Sequence, residues 1–277
     1  MLPRRQTTSA QRQHLSADRL LVFAVSAFTI LLLAAPVLVL LARGLSSRAW
    51  EGLPDSATIL SATILSFAST AAVVCLTALL GTPLAFVLSR YNFPGKRFLS
   101  LFIELPIVMP PAVAGLALLL TFGRTGAIGS FLADAGIIIP FSILAVIIAQ
   151  FFISAPFYIR SAQVGFAGIA TEIEDAARVD GAYGWLMFWY IILPIAWRAL
   201  ISGMILSWAR ALGEFGATIL FAGNLQGKTQ TMPLLVYSIF ERDIDAAIWT
   251  GVILIILAMV ALFLSQAFAR AQDRLTP

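Results

Sequence analysis

Six long apolar runs, at 20–42, 57–88, 99–122, 137–159, 189–222 and 246–268, constrain the fold of this chain more than any other feature. Each can cross a hydrocarbon core about 30 Å thick as an α-helix rising about 1.5 Å per residue. At 60% hydrophobic and 12% charged, with mean hydropathy +0.93, the chain carries more apolar side chain than a water-soluble domain can hide, so lipid is its solvent. The 57–88 and 189–222 runs exceed what a perpendicular span needs, which implies either tilt or an end lying along the interface. The expected fold is all-α, a polytopic membrane bundle of about six transmembrane helices.

Lysine and arginine orient this bundle. With the N-terminus inside, Arg4, Arg5, Arg12, Arg19, Arg90, Lys96, Arg97, Arg160, Arg178, Arg270 and Arg274 fall on the cytoplasmic side. Only Arg43, Arg48, Arg124, Lys228 and Arg242 fall outside, so both termini are expected in the cytoplasm. Basic residues before an apolar run also fit a signal peptide, but the 20–42 run outlasts a signal core of about 7–15 residues and reads as an uncleaved anchor. Those basic residues serve as topology anchors rather than as a nucleic-acid site. Cys75 is the sole cysteine, can form no intrachain disulfide and reads as a small packing residue of the second run. His14 lies in the polar tail, and the sequence shows no metal-ligand cluster.

A polar stretch from 161 to 190 interrupts the pattern on the cytoplasmic side. It carries Glu172, Glu174, Asp175 and Asp180 beside Arg178, with Ala176, Ala177, Gly181, Ala182 and Gly184 among them. Acidic residues ahead of an Ala-Ala pair favour a helix start through the dipole, and small residues let another surface come close. Gly181 is placed to end that helix or turn the chain. The chain then returns to the bilayer through 186–190, and Pro194 sits near the start of the next span, where a missing backbone donor costs least. Without its spacing, the segment would read as an ordinary amphipathic connector.

The spacing is specific: Asp175-Ala176-Ala177, three residues, Gly181, nine residues, then Ile191-x-Leu193-Pro194. These residues resemble the EAA loop of bacterial and archaeal ATP-binding-cassette importer permeases. In that family the loop forms the coupling helix that docks into a cleft of the ATPase subunit. The resemblance implies that role for Glu174, Asp175, Ala176, Ala177 and Gly181. Asp175 stands where Glu is usual, which keeps the charge and shortens the arm. A type I importer architecture follows from the same resemblance. Residues 1–19 form a cytoplasmic tail, 20–56 an extra N-terminal transmembrane helix and outer loop, 57–268 the permease core with its coupling loop near 161–190, and 269–277 a second cytoplasmic tail.

A second stretch narrows the cargo. Ala209-Arg210-Ala211-Leu212-Gly213-Glu214-Phe215-Gly216-Ala217-Thr218, with Gly223-Asn224 and the run from Gly227 to Leu234, is similar to the molybdate, tungstate and sulfate branch of these permeases. The segments FAGN and TQTMPL lean towards molybdate. YNFPGK at 91–96, LPIVMPP at 105–111 and GRTG at 123–126 support the same branch. Arg210 and Glu214 are four residues apart and share a helix face, either as a packing pair or in position to influence a passing oxyanion. Gly213 and Gly216 either permit tight helix contact or leave room for a pore. Pro106, Pro110 and Pro111 interrupt the third run, as a bend beside the pathway or as a kink that improves packing. Arg210, Gly213, Glu214, Gly216, Pro110 and Pro111 are thus the candidates for the path or its gate. A dianion held by fixed cations would be hard to release, so weak polar contacts and backbone dipoles are expected along the conduit. Arg124 and Lys228, on the outer side, either meet a binding protein and draw in the anion or are solvated loop charges.

The segment 222–229 reads A-x4-G-K-T, which a relaxed phosphate-loop pattern accepts. It lacks the first glycine, follows a membrane helix instead of a strand and faces the exterior, so it is refused as a nucleotide site. ATP and Mg are accordingly expected on a separate ATPase subunit, with no cofactor on this chain. The resemblance implies a homodimer around a central path in the cell membrane, two ATPase subunits beneath it, an extracytoplasmic oxyanion-binding protein above it and no nucleic acid. The expected function is the permease subunit of an ATP-driven oxyanion importer, for molybdate first, with sulfate, thiosulfate or tungstate as the alternative. A secondary transporter would instead carry buried relay residues in repeated halves and need no docking loop. A membrane enzyme would need a nucleophile, base or metal set that one tail histidine and one cysteine do not supply.

Overall fold

The computed structural model describes residues 9–46 and 53–273, with side chains over 19–45 and 53–263. Arg4, Arg5, Arg48 and Arg274 of the orientation set lie outside the described residues, as do the side chains of Arg12, His14 and Arg270. In chain order the helices are α1 (Ser9–Ser46), α2 (Ser56–Arg90), α3 (Lys96–Val108), α4 (Pro111–Phe122), α5 (Gly129–Asp134), α6 (Ile143–Ala167), α7 (Thr171–Val179), α8 (Gly184–Met187), α9 (Leu193–Leu212), α10 (Gly216–Phe221), α11 (Met232–Phe240) and α12 (Ile244–Asp273). No strand occurs among the described residues. Five helical stretches are long and apolar enough to cross a membrane, in α1, α2, α6, the α8–α9 rod and α12, and α3 with α4 makes a sixth if the bent pair is one span.

Three apolar runs depart from the sequence expectation, each for a local reason. The third run is two helices, α3 and α4, bent by 118° at Met109 and Pro110. Each of these two residues precedes a proline, which disfavours the helical conformation, and both are extended, with ψ of 131° and 134°. The fourth helix is displaced along the sequence. It starts at Ile143, where the Ser142 hydroxyl caps it by accepting from the Ala145 N–H, and it continues to Ala167, so Arg160 lies within α6 and not at its boundary. The fifth run begins earlier, at Gly184, and breaks at 213–215 before α10. A π-turn at Phe188–Ile192 precedes Pro194, whose ring would otherwise clash with the carbonyl of Tyr190.

In lipid the apolar effect does not draw helices together, so close contact through small residues does. α6 is held between α2 and α9 on that basis. A Cβ added to Gly165 would lie 2.4 Å from that of Ala199, and one on Gly81 would lie 3.0 Å from the Tyr158 ring. Three apolar cores result among the described residues, the smallest around Ala62, Met232 and Leu235. One, at the α7 end, gathers Ala85, Tyr158, Phe166, Met187, Ile192 and Leu200. Another gathers Ala114, Leu118, Val146, Ala149, Ile153 and Phe221 around α4 and α10. Cys75 belongs to none of them, for it is exposed on the outer face of α2 and not packed within the bundle as expected. α1 buries none of its apolar window and meets α12 where Gly44 faces Val252. Asp55 caps α2 by accepting from the Thr58 hydroxyl at 2.6 Å and the Thr58 N–H at 3.2 Å. The Thr58 hydroxyl holds the Asp55 carboxyl below its ordinary pKa, so this cap persists at neutral pH and is lost only as pH falls through the lowered value.

The tightest crossing joins α4 to α10. A Cβ on Gly216 would sit 2.4 Å from that of Pro111, and one on Gly115 would meet Leu220 at 2.8 Å and the Ala217 carbonyl at 3.0 Å. Gly216→Val is therefore expected to destabilise the fold by about 1–3 kcal/mol through overpacking. Thermal unfolding of the purified protein in detergent checks this, and an unchanged midpoint would show that the crossing yields without cost.

Candidate functional site

The polar segment folds into α7, whose first turn carries Glu172 and Glu174. α7 ends where Gly181 adopts φ of 88°: its N–H donates to the Arg178 carbonyl at 3.1 Å and the Ala182 N–H to the Ala177 carbonyl at 2.9 Å. This paired closure satisfies the last carbonyls and requires the left-handed conformation that glycine adopts freely. The exposed surface includes Glu172, Ile173, Asp175, Ala176, Arg178, Val179, Asp180 and Gly181, with Val179 88% exposed. An apolar residue that open, set among carboxylates and small residues, forms a surface another protein can approach closely.

Two of the expected docking residues face inward. Ala177 is buried in the core with Phe166 and Met187, and Ala182 packs on the same cluster. Glu174 is 12% exposed at its side chain and pairs with Arg90 at 2.7 Å, while Arg90 also donates to the Ile169 carbonyl at 3.3 Å. Glu174 thus ties α7 to the end of α2. Arg178 pairs with both Asp175 and Glu174 along α7 itself. Arg90 was legible only as a topology charge, because its partners lie about eighty residues away and no local spacing announces them. Glu174→Gln is expected to loosen α7 while leaving the bundle folded. Hydrogen exchange checks it: α7 amides should exchange about tenfold faster, the change that losing about 1.4 kcal/mol of local anchoring produces.

The second candidate cluster forms around the helix breaks. The Pro111–Gly216 contact brings the start of α4 against the start of α10, so these two expected residues meet across the bundle. Glu214 lies in the 213–215 break, beyond the end of α9, and not on a continuous helix face. Its side chain is 1% exposed; one carboxylate oxygen pairs with Arg210 at 2.8 Å and the other accepts from the Ala217 N–H in the first turn of α10 at 2.8 Å. The carboxylate therefore occupies the positive end of α10 and neutralises Arg210 at once. A Cβ on Gly213 would meet only the Ala209 carbonyl, at 3.7 Å, and Pro110 forms the N-cap of α4.

The loop between α10 and α11 exposes 225–228 but is buried and hydrogen-bonded at 229–231, where it meets α11. Thr229, Thr231 and Met232 are 0–1% exposed, the Thr229 hydroxyl accepts from the Leu225 N–H, Gln230 donates to Asn224, and the Met232 N–H donates to Ser66 of α2 at 2.7 Å. The A-x4-G-K-T segment thus uses its threonine to close its own loop, with Gly227 at φ of 71° and no strand before it. Arg124 and Lys228 are both exposed, on separate loops, and the structure does not bring them together. Another ionic contact was not anticipated: Arg160 pairs with Glu104 of α3 at 3.3 Å beside an open groove of about 360 Å³ lined by Ile107, Phe157, Val164 and Leu206. Among the described residues no cluster of His, Cys, Asp and Glu could hold a metal ion.

The fold and the site together define a multi-pass helical membrane bundle that carries an exposed connector helix, α7, between two of its spans. Residues 79–276 match the family described as binding-protein-dependent transport system inner membrane component, and the chain belongs to that family of importer permeases. It is a multi-pass inner-membrane transporter component and not an enzyme; the ATPase of such systems is a separate subunit. The chain is 38% identical to “Probable transport system permease protein NifC” of Clostridium pasteurianum over 91% of its length and 88% of the relative's. It is 40% identical to the molybdenum transport system permease protein ModB of Mycobacterium tuberculosis over 83% of its length and 86% of the relative's. The “Probable sulfate transport system permease protein cysT” of Zygnema circumcarinatum is 35% identical over 80% of this chain and 78% of that one. In three dimensions, a bacterial ABC transporter involved in import of the acidic polysaccharide alginate matches with TM-score 0.73 at 16% identity, over 96% of this chain and 100% of that one, which shows a shared fold.

Proposed function

We propose that this chain is the permease subunit of an ATP-driven molybdate importer, acting as a homodimer with two ATPase subunits against α7 and an oxyanion-binding protein on the opposite face. The observation that carries the reading is α7 itself: an exposed face of Asp175, Ala176 and Val179 backed by the Arg90–Glu174 pair and by Ala177 in the core. A push on that face is passed on through these contacts, to α2 by the Arg90–Glu174 pair and to α6 and α8 by Ala177 in the cluster with Phe166 and Met187. Both chain termini then share the cytoplasmic side with α7. Nucleotide on the ATPase pair and loaded binding protein above would favour different arrangements of the bundle, and only such differential binding can shift its equilibrium.

The break region supports an anion conduit of weak contacts. Glu214 cancels Arg210, so a passing dianion meets no uncompensated fixed cation there. Molybdate is favoured by the likeness to ModB, at 40% identity, over the sulfate reading suggested by cysT at 35%. The test is uptake in proteoliposomes holding this chain, its ATPase and its binding protein, with calorimetry of that binding protein against molybdate, tungstate and sulfate. ATP-dependent molybdate uptake and tight molybdate binding are expected. Tight sulfate binding without molybdate binding would replace the cargo, and uptake by the chain alone under an ion gradient would overturn the class of mechanism.

A further inference from the structure

Tyr158 sets the spacing of three helices. Its ring lies between two glycines: a Cβ on Gly81 of α2 would come within 3.0 Å of it and one on Gly203 of α9 within 3.2 Å. Thr82 reaches Tyr158 and Arg90 reaches Ile169, so α2 and α6 run parallel; Ala199 meets Gly165 and Gly203 meets Tyr158, so α9 runs antiparallel to α6. One helical turn from Tyr158 towards the start of α6, this register places Thr77 of α2, Ser154 of α6 and Ser207 of α9 in one layer. Their exposures are 1%, 0% and 0%, and none of the three hydroxyls has a hydrogen-bond partner among the described residues. Gln150, a turn further along α6 and 1% exposed, adds an unpartnered Oε1.

The layer falls at a seam. On α6 the core around α4 and α10 ends at Ile153, and the core at the α7 end begins at Ala155. One turn away a tyrosine fills the space between two glycines; in this layer the three helices present the smaller side chains of Thr77, Ser154 and Ser207. Buried hydroxyls without protein partners are costly in a membrane bundle, and ordered water with two to four polar neighbours is the species that satisfies them. We propose that Thr77, Ser154 and Ser207 bind ordered water inside the bundle, extended towards Gln150, at the junction of the two cores. Each hydroxyl both donates and accepts there. Water-mediated bonds can be re-aimed as the two cores shift, where direct interhelical bonds would have to break. The site stands independently of the cargo and of the coupling reading.

X-ray radiolytic labelling of the intact protein tests this, because hydroxyl radicals form in place from bound water and oxidise adjacent side chains. Tyr158, 1% exposed, is the reporter, and Tyr190, 76% exposed, is the dose control. Tyr158 should be oxidised in the wild-type protein, and the combined Thr77→Val, Ser154→Ala and Ser207→Ala variant should lower that labelling severalfold with Tyr190 unchanged. Absence of Tyr158 labelling in the wild type, or equal labelling in the folded variant, overturns the proposal. Should the triple variant fail to fold, Thr77→Val alone must lower the labelling. A high-resolution map provides the second arm: a density peak within hydrogen-bond distance of all three hydroxyls is expected, and hydroxyls bonded instead to carbonyls of their own helices overturn it.

Discussion

Gly181→Trp is expected to leave the protein inserted and its ATPase partner active while uptake falls by at least about tenfold. Two physical effects converge there. The φ of 88° penalises any residue with a Cβ by about 1–2 kcal/mol, which alone can shift a local equilibrium about tenfold. The space at the Cβ is open, with nothing within 4 Å of an added Cβ, so the indole adds bulk at the surface where a partner would seat. Gly181→Asn separates the effects, because asparagine tolerates the left-handed conformation and adds little bulk. Uptake close to wild type in the asparagine variant, with loss in the tryptophan variant, assigns the defect to docking. Equal loss in both would assign it to the α7 closure, and normal uptake in both would count against α7 as the coupling contact.

The second large effect is expected at Glu214. Removing its carboxylate in Glu214→Ala takes away the partner of Arg210 and the acceptor for Ala217 at the start of α10. Breaking a fully buried pair costs about 3–5 kcal/mol; Arg210 is 32% exposed at its side chain and can be partly hydrated, so about 2–3 kcal/mol is expected. Thermal unfolding in detergent measures it. The combined Arg210→Met, Glu214→Gln variant should recover most of the loss, because no unpaired charge then remains. If the double variant is stable yet uptake stays low, Arg210 acts on the anion as well as on packing. If Glu214→Ala is as stable as wild type, the break between α9 and α10 is held by something other than this carboxylate.

Much of this protein was legible in its sequence. The number of apolar runs, the helix ended by Gly181 and the importer family all follow from hydropathy and from the spacing between Asp175 and Pro194. What was not legible depends on contacts distant in sequence. Arg90 reads as an orientation charge until Glu174 and Ile169 are seen beside it, and Glu174 reads as a docking residue until its side chain is found turned inward. Hydropathy could not separate α3 from α4, because the run stays apolar across Met109 and Pro110; the prolines announced a disturbance, and only the packing of α4 on α10 fixes a bend of 118°. The break at 213–215 was hidden for the same reason: Arg210 and Glu214 pair as they would on one helix, although the helix has ended between them. The burial of Thr229, and the bond from the Met232 N–H to the Ser66 hydroxyl on α2, were not legible because that partner lies far away in sequence.

The most direct test of the account is site-specific cross-linking from Val179, an apolar residue of α7 that is 88% exposed. With Cys75, the only native cysteine, replaced by serine, Val179→Cys provides a single reactive thiol in membranes that hold the whole transporter. The account predicts a cross-link to the ATPase subunit whose yield changes when nucleotide is bound, and labelling by membrane-impermeant reagents only from the cytoplasmic side. Labelling from the exterior, or no captured ATPase in a transporter that still takes up anion, would contradict it.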